Sequence, residues 1–100
     1  MDALNHLRQE IDALDRELIK LFAKRLELVT QVGEVKHEKG LPIYVPEREL
    51  AMLQARREEA AKAGISPQLI EDVLRRFMRE SYSNENQFGF KTLNPAINKI

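Results

Sequence analysis

"LNHLRQEIDALDRELIKLFAKRLELVTQVGEVK", residues 4–36, decides the fold. Its seam runs Leu4, Leu7, Ile11, Leu14, Leu18, Leu21, Arg25, Leu28, Val32, Val35. Each rung lies three or four positions from the last, the period of one helix face. Only Arg25 breaks the apolar run. A guanidinium is the side chain hardest to neutralise, so its place on a seam meant for burial needs a reason.

Working outward, the first helix is expected over about residues 2 to 39, stopped by Gly40 and Pro42. Gly33 interrupts it at a cost of roughly 1 kcal/mol relative to alanine, too little to break so long a ladder. "GLPIYVP", residues 40–46, reads as an extended connector. Pro46 suits the first turn of a second helix, about residues 46 to 63, closed by Gly64. Ser66 and Pro67 read as N-cap and first residue of a third helix, reaching about residue 86. Its stripe is Ile70, Val73, Leu74, Phe77, Met78. The tail "NQFGFKTLNPAINKI", with glycine, proline and no period, is left irregular. No strand pattern or internal repeat is visible.

Length then constrains assembly. At 1.5 Å per residue the first helix is roughly 55 Å long, and the other two, at roughly 25 to 30 Å, cannot cover its apolar face. A second chain must cover the rest. The expected fold is all-α, three helices per chain with one very long, in an intertwined homodimeric helical bundle.

Composition excludes several functions. Sixteen basic and sixteen acidic residues balance to zero formal charge, which argues against nucleic acid or an anionic membrane as partner. The absence of cysteine removes disulfides, thiolate metal sites and cysteine nucleophiles. "MDALNHLRQEID" does not read as a signal peptide, and no stretch approaches the roughly 20 apolar residues of a membrane span. A cytoplasmic location is expected.

Each unusual residue has two readings. Arg25 can be a buried, register-setting polar residue or a ligand group. Lys36 follows eleven positions later, within about 20° of the same face. Alone it suits the C-terminus of a helix, where the dipole favours a cation. Together, with Leu28 and Val32 between them, the two cations repel unless an anion joins them. Ser81 and Glu85 extend the third helix's stripe, either as a frayed end or as the polar end of an apolar wall lining a small-ligand pocket. Arg48 and Glu49 in "VPERE" are first-turn surface charges or part of the same pocket. His6 and His37 lack spaced partners for a metal or a triad. Several cations, no nucleophile–base pair and no phosphate loop fit the binding of a small polyanion better than hydrolysis.

"LRQEIDALDRELIKLFAKRLELVTQVGEVK", "GLPIYVPERE" and "LIEDVLRRFMRESYSNEN" together resemble the all-helical class of chorismate mutase. The likeness is greatest to the N-terminal mutase domain of the bifunctional chorismate mutase/prephenate dehydrogenases. It covers essentially residues 4 to 86, and "GFKTLNP" resembles the linker that follows in those enzymes. Residues 1–90 would be the mutase domain and 91–100 that linker. No dinucleotide-binding glycine motif occurs before Ile100, so dehydrogenase activity is not expected of this stretch, which reads as a truncated or isolated mutase domain.

The resemblance implies an intertwined dimer that converts chorismate to prephenate, in phenylalanine and tyrosine biosynthesis, by a [3,3] Claisen rearrangement without cofactor, metal or covalent intermediate. It implies that Arg25, Arg48 and Arg8 grip the substrate's carboxylates. Lys36 would donate to the ether oxygen and a carboxylate, and Glu49 would accept from the ring hydroxyl. Ser81 would touch a carboxylate, Val32 and Met78 would line the wall, and Glu85 would face the ether oxygen opposite Lys36. On this view Arg25 is on the seam because the seam opens there around a dianion. Geometry adds one constraint. Arg8 and Lys36 are 28 residues apart (36 − 8), roughly 42 Å along a straight helix, so Arg8 must come from the partner chain.

Two positions depart from the family pattern. Val45 stands where several members carry an aspartate, and Glu85 where others carry a glutamine. The rival expectations are a non-catalytic helical dimerisation or regulatory module, and an isochorismate pyruvate lyase built on the same cationic site.

Overall fold

The structure, a computed structural model, describes residues 2–93, with side chains described for residues 2–82. It consists of α1 (Asp2–Lys39), α2 (Pro46–Lys62) and α3 (Pro67–Leu93), with no strand among the described residues. α1 is the predicted helix, unbroken at Gly33. Its C-terminus closes in a Schellman turn: Gly40 N–H donates to His37 O and Leu41 N–H to Lys36 O, at 3.3 and 2.8 Å. Gly40 has φ +65° there, a conformation costly for any residue with a Cβ. α2 ends in the same way at Gly64, whose successor Ile65 donates to Ala60 O at 2.9 Å. Pro46 occupies the first turn of α2 without a side-chain cap from Val45. Ser66 caps α3 by accepting from Leu69 N–H at 3.2 Å.

One expectation is corrected. The tail from about residue 86 was read as irregular, but α3 continues to Leu93. Gly89 costs a helix only about 1 kcal/mol and is tolerated within α3. Residues 94–100 lie outside the described part of the chain.

α3 packs against both α1 and α2, while α1 and α2 do not pack on each other among the described residues. Leu53 and Ala60 of α2, two turns apart, and Met78 of α3 are the buried apolar side chains, at 3, 5 and 7 % exposure. Phe22 of α1 meets Phe77 of α3 with ring centroids 4.6 Å apart. Arg57 of α2 is tied to α3 through Glu71 at 2.9 Å.

The described chain is elongated, 59 × 28 × 21 Å, with a radius of gyration of 17.8 Å against about 13 Å for a compact chain of this length. The excess lies in α1. Leu7, Ile11, Leu14 and Leu18 expose 55, 55, 64 and 45 % of their surface, and Gly33 alone in that helix is buried. The N-terminal half of the apolar ladder thus has no cover among the described residues. Among the described residues no helix is long and apolar enough to cross a membrane.

Candidate active site

Where the C-terminal half of α1 meets the connector, the start of α2 and the middle of α3, the chain encloses a cavity of about 350 Å³. α1 contributes Arg25, Val29, Val32 and Lys36 on four successive turns of one face. The connector contributes Ile43 and Val45, and the first turns of α2 bring Arg48, Glu49 and Met52. Met78, Ser81 and Tyr82 come from α3. The seam opens at Arg25.

The cations are held in place. Arg25 Nη1 donates to Ser81 Oγ at 3.5 Å, and its guanidinium lies 5.3 Å from the centre of the Phe77 ring, within cation–π range. Ser81, only 6 % exposed, donates in turn to Phe77 O at 2.8 Å, so its oxygen is turned to accept from the arginine. Lys36 Nζ donates to Ile43 O at 2.7 Å, which fixes a flexible four-carbon stem at a defined point of the connector. Neither Arg25 nor Arg48 pairs with a carboxylate among the described residues. Three positive side chains therefore face one small space, the arrangement that recognises a carboxylated ligand.

Glu49 is the one carboxylate among the described residues lining the cavity. Tyr82 Oη donates to its Oε2 at 3.0 Å, and Arg75 approaches Oε1 at 3.6 Å. Arg75 Nε also donates to Glu71 Oε2 at 2.9 Å. That hydrogen bond, with Arg57 adding to it, holds the Glu71 carboxyl below its ordinary range, and the same bond to Glu71 raises Arg75 above its own.

Of the residues expected from sequence, Arg25, Val32, Lys36, Arg48, Glu49, Met78 and Ser81 come together on this cavity. Arg8 does not line it and is exposed near the far end of α1. Glu85 lies in α3, but its side chain is outside the described residues. Val45 lines the cavity, and its side chain offers no hydrogen-bonding group. Sequence reasoning missed Tyr82, although it sits four residues after Met78 on the same stripe. It also missed Ile43, whose contribution is a backbone carbonyl and has no side-chain signature.

A second, larger hollow of about 810 Å³ lies between Phe22 and Leu26 of α1 and Val73 and Phe77 of α3. It is a mainly apolar trough edged by Asp72, Arg76 and Glu80. Of these, Arg76 and Glu80 pair with each other at 3.2 Å. No group of histidine or carboxylate side chains suited to a metal occurs among the described residues.

Fold and cavity together define a small all-α domain with a cation-lined pocket for a compact anion. The sequence profile of the chorismate mutase type II family matches residues 7–86, and the chain belongs to that family. The chain is 79 % identical over 100 residues to the T-protein of Haemophilus influenzae, covering all of this chain and 26 % of that protein. It is 61 % identical over 97 residues to the T-protein of Enterobacter agglomerans, covering 97 % of this chain and 26 % of that protein. It is 41 % identical over 49 residues to a chorismate mutase of Methanocaldococcus jannaschii, covering 49 % of this chain and 50 % of that protein. The chain thus spans about a quarter of the length of the two T-proteins.

Proposed function

We propose that the cavity between Arg25, Lys36 and Arg48 binds chorismate and promotes its rearrangement to prephenate. The observation that carries this is the convergence of three cations, one carboxylate and Ser81 on about 350 Å³, a volume suited to a small ligand. In the rearrangement the ether C–O bond breaks as a C–C bond forms, with no proton transfer and no nucleophile. The protein must hold the chair-like conformer and stabilise negative charge on the ether oxygen. Arg25 and Arg48 hold the carboxylates, their planar forks matching two oxygens each. Ser81 adds a hydroxyl beside Arg25, and Val32 and Met78 supply apolar walls. Lys36, anchored on Ile43, donates towards the ether oxygen. Glu49 accepts from the ring hydroxyl.

The working form is a homodimer in which Arg8 of each chain completes the other chain's site. The uncovered ladder from Leu7 to Leu18 supports it, as does the apolar trough beside Phe22. So does the separation of Arg8 from its own cavity. The domain is proposed to act in the cytoplasm, as the mutase part of a T-protein-like enzyme.

Incubation with chorismate and chromatographic separation of products tests the reaction. Prephenate is expected. Salicylate with pyruvate from isochorismate, and no prephenate from chorismate, would establish a lyase. Failure to consume either compound would leave a non-catalytic module.

A further inference from the structure

Glu49 poses a problem that the proposed reaction does not solve. It is the one carboxylate among the described residues lining a cavity that also contains Arg25, Lys36 and Arg48. Its neighbour in sequence is Arg48 itself. A glutamate side chain free to rotate beside those cations would pair with them when the site is empty, and an anionic substrate would then have to displace it. The structure places the carboxylate elsewhere. Tyr82 Oη donates to Glu49 Oε2 at 3.0 Å, and Arg75, on the other side, lies 3.6 Å from Oε1. The Glu49 side chain is 15 % exposed.

Tyr82 is itself held. Its ring meets Tyr44 of the connector edge to face, with centroids 5.7 Å apart and planes at 87°, a favoured aromatic geometry. α3 and the connector therefore fix the phenol, and the phenol fixes the carboxylate. A carboxylate accepts at about four lone-pair positions, so one bond from Tyr82 leaves capacity for a ligand hydroxyl.

We infer that Tyr82 is a positioning residue for Glu49, holding its carboxylate away from the substrate-binding cations and presenting it as acceptor to the substrate's ring hydroxyl. Tyr44 buttresses the phenol, and Arg75 restrains the second oxygen. The inference rests on the chorismate reading above. Val45 at the cavity wall brings no side-chain acceptor, so Glu49 is the one carboxylate among the described lining residues that can meet the hydroxyl.

The test is a kinetic cycle in the full chain. Tyr82→Phe removes one oxygen and keeps the ring against Tyr44. It should raise KM for chorismate five- to tenfold with kcat within twofold, because the released carboxylate competes with substrate in the ground state. Arg75→Gln should move KM in the same direction. In a Glu49→Ala background, Tyr82→Phe should change KM less than twofold, since no carboxylate remains to be positioned. An unchanged KM in Tyr82→Phe, with the wild type active, overturns this inference alone. So does a KM effect that persists fully without Glu49, which would mean that the phenol acts directly or through packing. A wild type that does not consume chorismate overturns the underlying reading and this inference with it.

Discussion

Replacing Arg25 by alanine separates a ligand group from a structural one, because the two roles differ in size. The protein contacts that Arg25 makes are weak. Its hydrogen bond to Ser81, at 3.5 Å, is at the long limit. The Phe77 ring, 5.3 Å from the guanidinium, adds about 0.5–1 kcal/mol. Arg25→Ala should therefore cost on the order of 1 kcal/mol of stability, a few degrees in Tm for a domain of this size. The ligand side is larger. Two charge-assisted hydrogen bonds to a carboxylate are worth roughly 1.5–3 kcal/mol each, so kcat/KM should fall by about a hundredfold to ten-thousandfold. Loss of chorismate absorbance in the near ultraviolet gives the rate, and circular dichroism with sedimentation gives fold and assembly. A variant that retains activity within tenfold of wild type would refute the assignment. So would one that unfolds outright, because the contacts to Ser81 and Phe77 are too weak to account for it.

Three further outcomes follow from other parts of the chain. Glu71 is held below its ordinary value of 4.5 by Arg75 first and then Arg57, so its stabilising contribution is complete above that value and is lost as pH falls through the lowered one. Glu71→Gln should thus flatten the decline of Tm below pH 4.5, and an unchanged acid slope would assign the titration elsewhere. Leu53, 3 % exposed between α2 and α3, should lose about 2–5 kcal/mol on truncation to alanine, and a urea-measured loss under 1 kcal/mol would contradict its place in the core. Glu85, proposed to act at the ether oxygen, can donate there only when protonated, whereas an amide donates at every pH; Glu85→Gln should therefore keep substantial kcat/KM at neutral pH, and its loss would count against that proposal.

The long helix and its stops were legible because each depends on local chemistry. The seam from Leu4 to Val35 has one period, and Gly40, Pro46, Gly64, Ser66 and Pro67 act within a turn of where they stand. α3 runs past Gly89 to Leu93 because a glycine in a helix interior costs only about 1 kcal/mol, and in sequence such a glycine looks like one at a helix stop. At the site, Arg25 and Lys36 stood out as cations on a buried face. Arg48 and Glu49 did not, since first-turn charges are ordinary on a helix surface, and it took the resemblance to give them roles. Tyr82 was invisible for a different reason: its partner Glu49 is 33 residues away, and no local period encodes a contact between helices. The carbonyl of Ile43 under Lys36 carries no side-chain signal of any kind.

The central claim is that one catalytic site combines Arg25, Lys36 and Arg48 of one chain with Arg8 of another. Arg8→Ala and Lys36→Ala proteins, each nearly inactive alone, test it when unfolded together in equal amounts and refolded. Random pairing makes half of the dimers mixed. Each mixed dimer holds one intact site and one site lacking both residues. Activity should return to roughly a quarter of wild type, given an isologous dimer. No return of activity, with mixed dimers demonstrated by mass, would contradict the shared site.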